Sequence, residues 1–251
     1  MAERMAERMA ERMAERMAER MAERMAERMA ERLTTTAGDF DLEECSLRVG
    51  GREWSILHTA ALMSWVEEQI FLGTNHDRIP YGAALWPSAI ALAHELASRG
   101  NALRGKTVLE LGAGTGLPGI VASTFGARVT QTDNHDVAMH LCRRNGERNG
   151  ARGIEYRTAD WSTWDDVQRY DLIIGADILY SDTMHDRLHR LFNGNLAAGG
   201  RILVSDPFRK FSLGLLETLE SQHWRVGMTK WIVGEGEDAQ PIGVFELVPP
   251  A

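Results

Sequence analysis

The chain has only two cysteines in 251 residues, Cys45 and Cys142, and neither stands in a CxxC or Cys/His spacing. This excludes a disulfide framework and a structural zinc site as organising features, and makes a reducing cytoplasm the expected compartment. Long hydrophobic runs are also missing. No stretch approaches the roughly 18 consecutive apolar residues of a membrane span, and the amino terminus lacks the hydrophobic centre of a secretion signal, so a soluble protein with no membrane partner is expected. Positive charge is in deficit: 28 Lys and Arg stand against 36 Asp and Glu, for a formal net charge of -8. Phosphate neutralisation needs cations, so this balance argues against nucleic acid as the main partner and is compatible with basic protein substrates. The eight histidines are scattered without ligand spacing, and no metal site is expected.

The first 32 residues are eight identical copies of Met-Ala-Glu-Arg, which leaves 219 residues for a globular body. Each copy is charge-neutral, so the whole net charge belongs to that body. The tract contains strong helix formers and neither Gly nor Pro, which predicts a long N-terminal repeat helix. A four-residue period on a helix of 3.6 residues per turn moves the Met stripe by about 40° per repeat, so no apolar face persists along it. The heptad of a coiled coil is absent, and the tract is expected to be a solvated, partly frayed helix or disordered. The domain reading is therefore the repeat over 1–32, an N-terminal hairpin and helices over 33–103 packing on the core, and the core itself over 104–251.

Within the body, Val108-Leu109-Glu110-Leu111 is an apolar run suited to a buried parallel strand, and it breaks into Gly112-Ala113-Gly114-Thr115-Gly116. Alternating glycines let the backbone turn tightly and approach a ligand with no Cβ in the way. Asp133 follows Gly112 by twenty-one residues and ends the run Arg128-Val129-Thr130-Gln131-Thr132-Asp133. An acid at that spacing lies at the tip of the next strand, where it can accept from both ribose hydroxyls of a nucleotide-type cofactor. A dinucleotide fingerprint reads G-x-G-x-x-G, whereas this chain reads E-x-G-x-G-x-G. An anionic Glu110 near the turn would repel a pyrophosphate but can orient the cationic methionyl part of S-adenosylmethionine, so NAD is the weaker reading.

The pattern around this motif is alternating. Strands are predicted at 107–111, 128–132, 154–158, 171–176 and 201–205, and helices at 117–125, 135–149, 181–196 and 212–222, an order that implies right-handed crossovers and a parallel sheet. Arg225–Val233 and Ile242–Val248 follow without an intervening helix and should pair as a hairpin. Upstream, 46–58 reads as a hairpin turning at Gly50-Gly51, and helices are expected at Ala60–Leu72 and Ser88–Arg99, with Pro87 as a first helical residue. The expected fold is α/β: a Rossmann-like seven-stranded sheet, mostly parallel, with a C-terminal antiparallel hairpin.

Val108 to Gly119, Asp133, Asp160-Trp161 and Asp177-Ile178-Leu179-Tyr180 resemble the successive motifs of the seven-strand S-adenosylmethionine-dependent methyltransferases, over most of residues 80–248. The Asp-x-x-Tyr after the fourth strand, with an upstream Trp-Pro, is similar to the protein-lysine methyltransferases related to those of valosin-containing protein and electron-transfer flavoprotein. Pro80–Pro87 and Asp206-Pro207-Phe208-Arg209 resemble further motifs of the latter group. The repeat tract has no counterpart there.

This resemblance implies roles. Glu110, Gly112, Gly114, Gly116 and Asp133 would bind S-adenosylmethionine. Asp160 would accept from the adenine amine with Trp161 against the ring face, the alternative being a helix cap beside a core tryptophan. Trp86 would close over the cofactor, or else pack in the core. Asp177 and Tyr180 are the candidate catalytic pair: the carboxylate would hold the incoming amine and the cofactor's methionyl end, and the phenol would form an aromatic wall, the alternative being a helix cap with a packed tyrosine. Asp206 and Arg209 would grip the peptide flanking the target, or pair on the surface. The implied activity is methyl transfer to a lysine of a protein substrate. A small-molecule N- or O-methyltransferase is the alternative. A nucleic-acid amino-methyltransferase ranks lower, since its Asn-Pro-Pro-Tyr stands where this chain has Asp177-Ile178-Leu179-Tyr180. A non-catalytic interaction protein on the same fold is the reading of a different class.

Overall fold

The structure is a computed structural model, and it describes residues 32–35, 38–61, 81–234, 236 and 239–250. The elements run β1 (Arg32–Thr35), β2 (Gly38–Asp41), β3 (Glu43–Val49), β4 (Arg52–His58) and β5 (Ala60–Ala61), then a 3₁₀ turn over Tyr81–Ala83, β6 (Ala84–Leu85) and α1 (Pro87–Arg99). They continue with β7 (Thr107–Leu111), α2 (Leu117–Thr124), β8 (Arg128–Asp133), α3 (Asp136–Arg148), β9 (Ile154–Thr158) and β10 (Tyr170–Ala176). A 3₁₀ turn over Asp182–Met184, α4 (His185–Asn195), β11 (Leu196–Asp206), α5 (Lys210–Ser221), β12 (Arg225–Val233) and β13 (Gln240–Val248) follow among the described residues.

Seven strands form one mixed sheet in the order β12-β13-β11-β10-β7-β8-β9. Strands β9, β8, β7, β10 and β11 are parallel, β13 runs antiparallel to β11, and β12 pairs antiparallel with β13. The expected sheet and terminal hairpin are therefore present. Alternation along each strand sends Val108, Ile174, Leu203 and Val244 to the face covered by α1 and α2. Leu109, Leu111, Ile173, Ile202 and Val204 point to the opposite face, against Leu188, Leu191 and Phe192 of α4 and Leu215, Leu216 and Leu219 of α5. Both faces are covered, which is why the central strands read as nearly continuous apolar runs.

The N-terminal hairpin turns at Gly50 and Gly51, with φ of 60° and 78°, the left-handed pair that a two-residue turn of this kind requires. It is tied to α3 by Asn145, whose side chain accepts from the Leu57 amide at 2.8 Å and donates to Leu57 O at 3.0 Å and to Thr115 O at 2.9 Å. One buried amide thus joins the hairpin to the glycine segment after β7.

Two expectations need correction. Ala60 and Ala61, the start of the helix expected over 60–72, are extended and pair in parallel with Ala84 and Leu85; the remainder of that stretch lies outside the described residues. Segment 181–196 divides into a 3₁₀ turn and a shorter α4, and its last residue, Leu196, opens β11, pairing with Tyr170. The repeat helix expected over 1–32 also lies outside the described residues, except that Arg32 begins β1 and pairs with Asp41.

Candidate active site

Strand order reverses at β7: the chain moves from β7 to β8 and β9 on one side, then crosses to β10 and β11 on the other. The crevice beyond the carboxyl ends of β7 and β10 is where open α/β sheets hold ligands. The glycine turn follows β7 and Asp177 follows β10, so two of the predicted motifs meet at this point.

Gly112, Gly114 and Gly116 have φ of 62°, 57° and 83°, all in the left-handed region, and Gly116 leads directly into α2. A Cβ on Gly112 would stand 3.0 Å from Ile178 Cγ2 and 3.6 Å from the Trp161 ring; one on Gly114 would stand 3.2 Å from Gly82 O. Thus the turn is walled by Ile178 and Trp161 on one side and by the segment before α1 on the other. Asp133 is only 7% exposed, and its carboxylate accepts from the Gly114 amide at 3.1 Å and the His135 amide at 3.0 Å. Burial pushes its carboxyl up, and those two amides oppose the shift. Each oxygen keeps a lone pair for a ligand hydroxyl.

Glu110 lies on β7, two residues before the first glycine of the turn. Its carboxyl is 1% exposed and enclosed beneath the turn, accepting from the Gly119 amide at 3.1 Å and from Gln131 Nε2 at 2.6 Å. Burial pushes it up to about 8. Both donors meet Oε2, so that oxygen is engaged within the fold beneath the turn. Gln131, within the buried stretch Val129–Asp133 of β8, is not singled out by the sequence motifs, although a long amide in such a stretch is itself a signal of a buried polar contact.

Asp177 has φ of 59°, and its amide donates to Ser205 O at 2.9 Å, so a strained left-handed bend is held from the neighbouring strand. Its carboxylate accepts from Arg209 Nη1. Tyr180 is 55% exposed at the same rim; partial burial pushes its phenol up, and the charges of Asp133 and Tyr81 add to the shift. Asp160 is exposed and accepts from the Ser162 amide at 2.7 Å, a contact that holds its carboxyl below the usual range. Trp161 is half-buried beside it. Trp86 is half-buried, and its indole N–H donates to Tyr81 O at 3.0 Å, closing the 3₁₀ turn that carries Gly82 to the glycine segment.

The expectation that Asp206 contacts a peptide is corrected. It is fully buried and accepts from the Arg209 amide at 2.6 Å and Ser212 Oγ at 2.7 Å, bonds that shape the start of α5. Arg209 Nη1 lies 3.3 Å from Asp206 while also reaching Asp177, so the pair is neither a surface ion pair nor a clamp on an outside chain. It buttresses Asp177.

Sheet order, glycine turn, strand-tip acid and terminal hairpin together define the Rossmann-like class of methyltransferases. Among solved structures, magnesium protoporphyrin IX methyltransferase from Synechocystis PCC 6803 with bound SAM shares this fold with a TM-score of 0.53 at 16% identity, over 73% of this chain and 84% of that one. A family model described as lysine methyltransferase matches residues 68–211. Protein N-lysine methyltransferase METTL21A of Xenopus tropicalis is 33% identical over 156 residues, covering 60% of this chain and 72% of the relative. Electron transfer flavoprotein beta subunit lysine methyltransferase of Rattus norvegicus is 33% identical over 132 residues, covering 52% and 51%. The chain belongs to the lysine methyltransferase family, whose methyl donor is S-adenosylmethionine.

Proposed function

We propose that this protein methylates the side-chain amine of a lysine in a protein substrate, with the acceptor seated between Asp177 and Tyr180. The observation that carries the reading is the position of Asp177: a left-handed residue at the strand-order reversal, beside the glycine turn, with its carboxylate aligned by Arg209.

The residues present fit the cofactor. Gly112–Gly116 form a cradle that side chains would fill, Asp133 would take the ribose hydroxyls, Asp160 the adenine amine, and Trp161 the ring face. When bound, S-adenosylmethionine supplies an electrophilic methyl group on a sulfonium. What the protein must do is align a neutral amine lone pair in line with that carbon and keep water from competing. Asp177 accepts a hydrogen bond from the incoming nitrogen and fixes its direction. Arg209, a permanent cation beside Asp177, disfavours a second cation there and so favours loss of the ammonium proton. Tyr180, at the exposed rim, gives the lysine stem an aromatic wall and leaves the proton a way out to solvent. The two unpaired cysteines, Cys45 and Cys142, support placing the enzyme in a reducing cytoplasm.

The test is incubation of the full chain with methyl-labelled S-adenosylmethionine and a cell lysate, followed by hydrolysis of the protein fraction. Label on methylated lysine is expected. Label confined to small molecules, or to arginine or histidine, would reject the assignment.

A further inference from the structure

We infer that Gln131 is a positioning residue for the cofactor turn, acting through the Glu110 carboxyl and the Gly116 carbonyl. The inference rests on reading Gly112–Gly116 as the cofactor turn and assigns a role to a residue outside the motif. Gln131 lies in the middle of β8 and is completely buried, an environment in which a polar amide is costly unless it is bonded. Both hydrogens of its Nε2 are used: one is directed to Glu110 Oε2 at 2.6 Å, the other to Gly116 O at 2.8 Å. Glu110 Oε2 in turn accepts from the Gly119 amide at 3.1 Å. One amide therefore ties together the end of β7, the last glycine of the turn and the first turn of α2.

The space around this group is specific to it. A Cβ on Gly119 would stand 2.3 Å from Glu110 Oε2 and 2.6 Å from Gln131 Nε2, and one on Gly116 would stand 3.0 Å from Nε2. Gly119 lies within α2 and, unlike Gly116, does not have a left-handed φ. Glycine inside a helix is less favourable than alanine, so its backbone gains nothing from the missing side chain. The missing Cβ leaves room for the Glu110–Gln131 pair. The orientation of the amide is also determined. Turned over, Oε1 would face the Gly116 carbonyl, so the observed orientation keeps both bonds even though Oε1 is buried without a partner among the described residues.

The expected consequence is selective. Without this tether the turn remains in the fold, but Gly116 O and the start of α2 lose the anchor that sets the cradle. The loss should therefore appear in cofactor affinity ahead of turnover or acceptor affinity. A purely structural role would lower stability and move both Michaelis constants together.

The experiment uses the full chain with Gln131→Met, which conserves volume and removes the donors, and Gln131→Glu, which sets a second carboxyl against Glu110. Calorimetric titration with S-adenosylhomocysteine, KM for S-adenosylmethionine and for the protein acceptor, and thermal unfolding are measured for each. For Gln131→Met, Kd for S-adenosylhomocysteine and KM for S-adenosylmethionine should rise about tenfold, with kcat at saturation within about threefold of the parent. For Gln131→Glu, affinity should be poor near pH 8 and recover towards pH 6, because facing carboxyls must share a proton. The other titratable groups facing the pair are Asp133 at the tip of β8, Cys142 on α3 and Tyr156 on β9. Burial keeps the thiol and the phenol protonated across that range, and Asp133 is common to parent and variant. A Gln131→Met protein that binds within about twofold of the parent would overturn the inference, as would equal increases in both KM values or a Gln131→Glu affinity with the parent's pH dependence. Should Gln131→Met fail to fold, the pH series on Gln131→Glu decides. If the parent itself does not bind S-adenosylhomocysteine, the cofactor-turn reading fails instead, and the two failures are distinguishable.

Discussion

Arg209 donates from Nη1 to the carboxylate of Asp177, thirty-two residues upstream, and in doing so couples the loop after β11 to the loop after β10. Asp206 holds Arg209 from behind, through its backbone amide at 2.6 Å and its guanidinium at 3.3 Å. The chain of contacts links a buried acid at the end of one strand to Asp177, the acid proposed to hold the acceptor, at the end of its neighbour.

Substituting Arg209 should therefore affect chemistry more than cofactor binding. Arg209→Met is expected to lower kcat/KM by about 10- to 100-fold, the equivalent of one lost charge-assisted hydrogen bond. Titration with S-adenosylhomocysteine should change far less. If cofactor affinity falls in step with turnover, Arg209 does not act through Asp177.

Asp177→Asn keeps a side chain that tolerates a left-handed bend while removing the charge. Turnover should drop on the order of a hundredfold, while Asp206 still pairs with Arg209 and limits the loss in melting temperature. Asp177→Ala would confuse the result with backbone strain at φ 59°. A fully active Asp177→Asn enzyme would remove the carboxylate from the mechanism.

Asp133→Asn retains shape but loses charge-assisted bonds. It should weaken S-adenosylhomocysteine binding by roughly 1–3 kcal/mol, measured by calorimetry, and leave acceptor KM close to the parent value. Undiminished affinity would exclude the proposed ribose contact.

Gly119→Ala tests crowding beneath the turn. At an ordinary helix position this change stabilises, but here the new Cβ would lie 2.3 Å from Glu110 Oε2, and both neighbouring side chains are buried with nowhere to swing. A loss of about 1–3 kcal/mol in denaturant unfolding is expected. A gain in stability would show that the pair beneath the turn relaxes freely.

The Glu110 carboxyl carries a pH signature. Burial raises it in the native state from 4.5 to about 8. Between those values the unfolded chain releases a proton that the native state retains, so native stability falls as pH rises across this window and levels off above it. Asp133, also raised by burial, contributes in the same direction. Glu110→Gln is neutral throughout, so its unfolding midpoint should vary less between about pH 5 and pH 8 than the parent's. An identical slope in both proteins would place the effect elsewhere.

Much of the architecture is legible in the sequence. The hairpin at Gly50-Gly51, the strand and glycine turn at Val108–Gly116, and the terminal pair Arg225–Val233 with its partner are carried by short-range pattern, because period-two alternation and left-handed glycines act within a few residues. Long-range pairings were not readable. Ala60 and Ala61 look helical by their neighbours, yet they extend because Ala84 and Leu85 offer a partner strand more than twenty residues away. Leu196 likewise continued a helical pattern locally but is drawn into β11 by pairing with Tyr170.

At the site, residue identity alone determined the chemistry on offer: glycines where the backbone must bend, acids at strand ends, and an aspartate and a tyrosine three apart after β10. Only the tertiary structure decided which donors each of those acids meets. Glu110 Oε2 is held inside the fold by Gln131 and Gly119, and Asp206 is enclosed because Ser212 and Arg209 cover it, whereas Asp133 accepts from the Gly114 and His135 amides of the glycine turn and the next loop, and Asp177 from Arg209. A carboxylate settles where its hydrogen-bond donors are. Those donors come from segments distant in sequence, so the direction in which each acid points belongs to the packed fold and not to the local pattern.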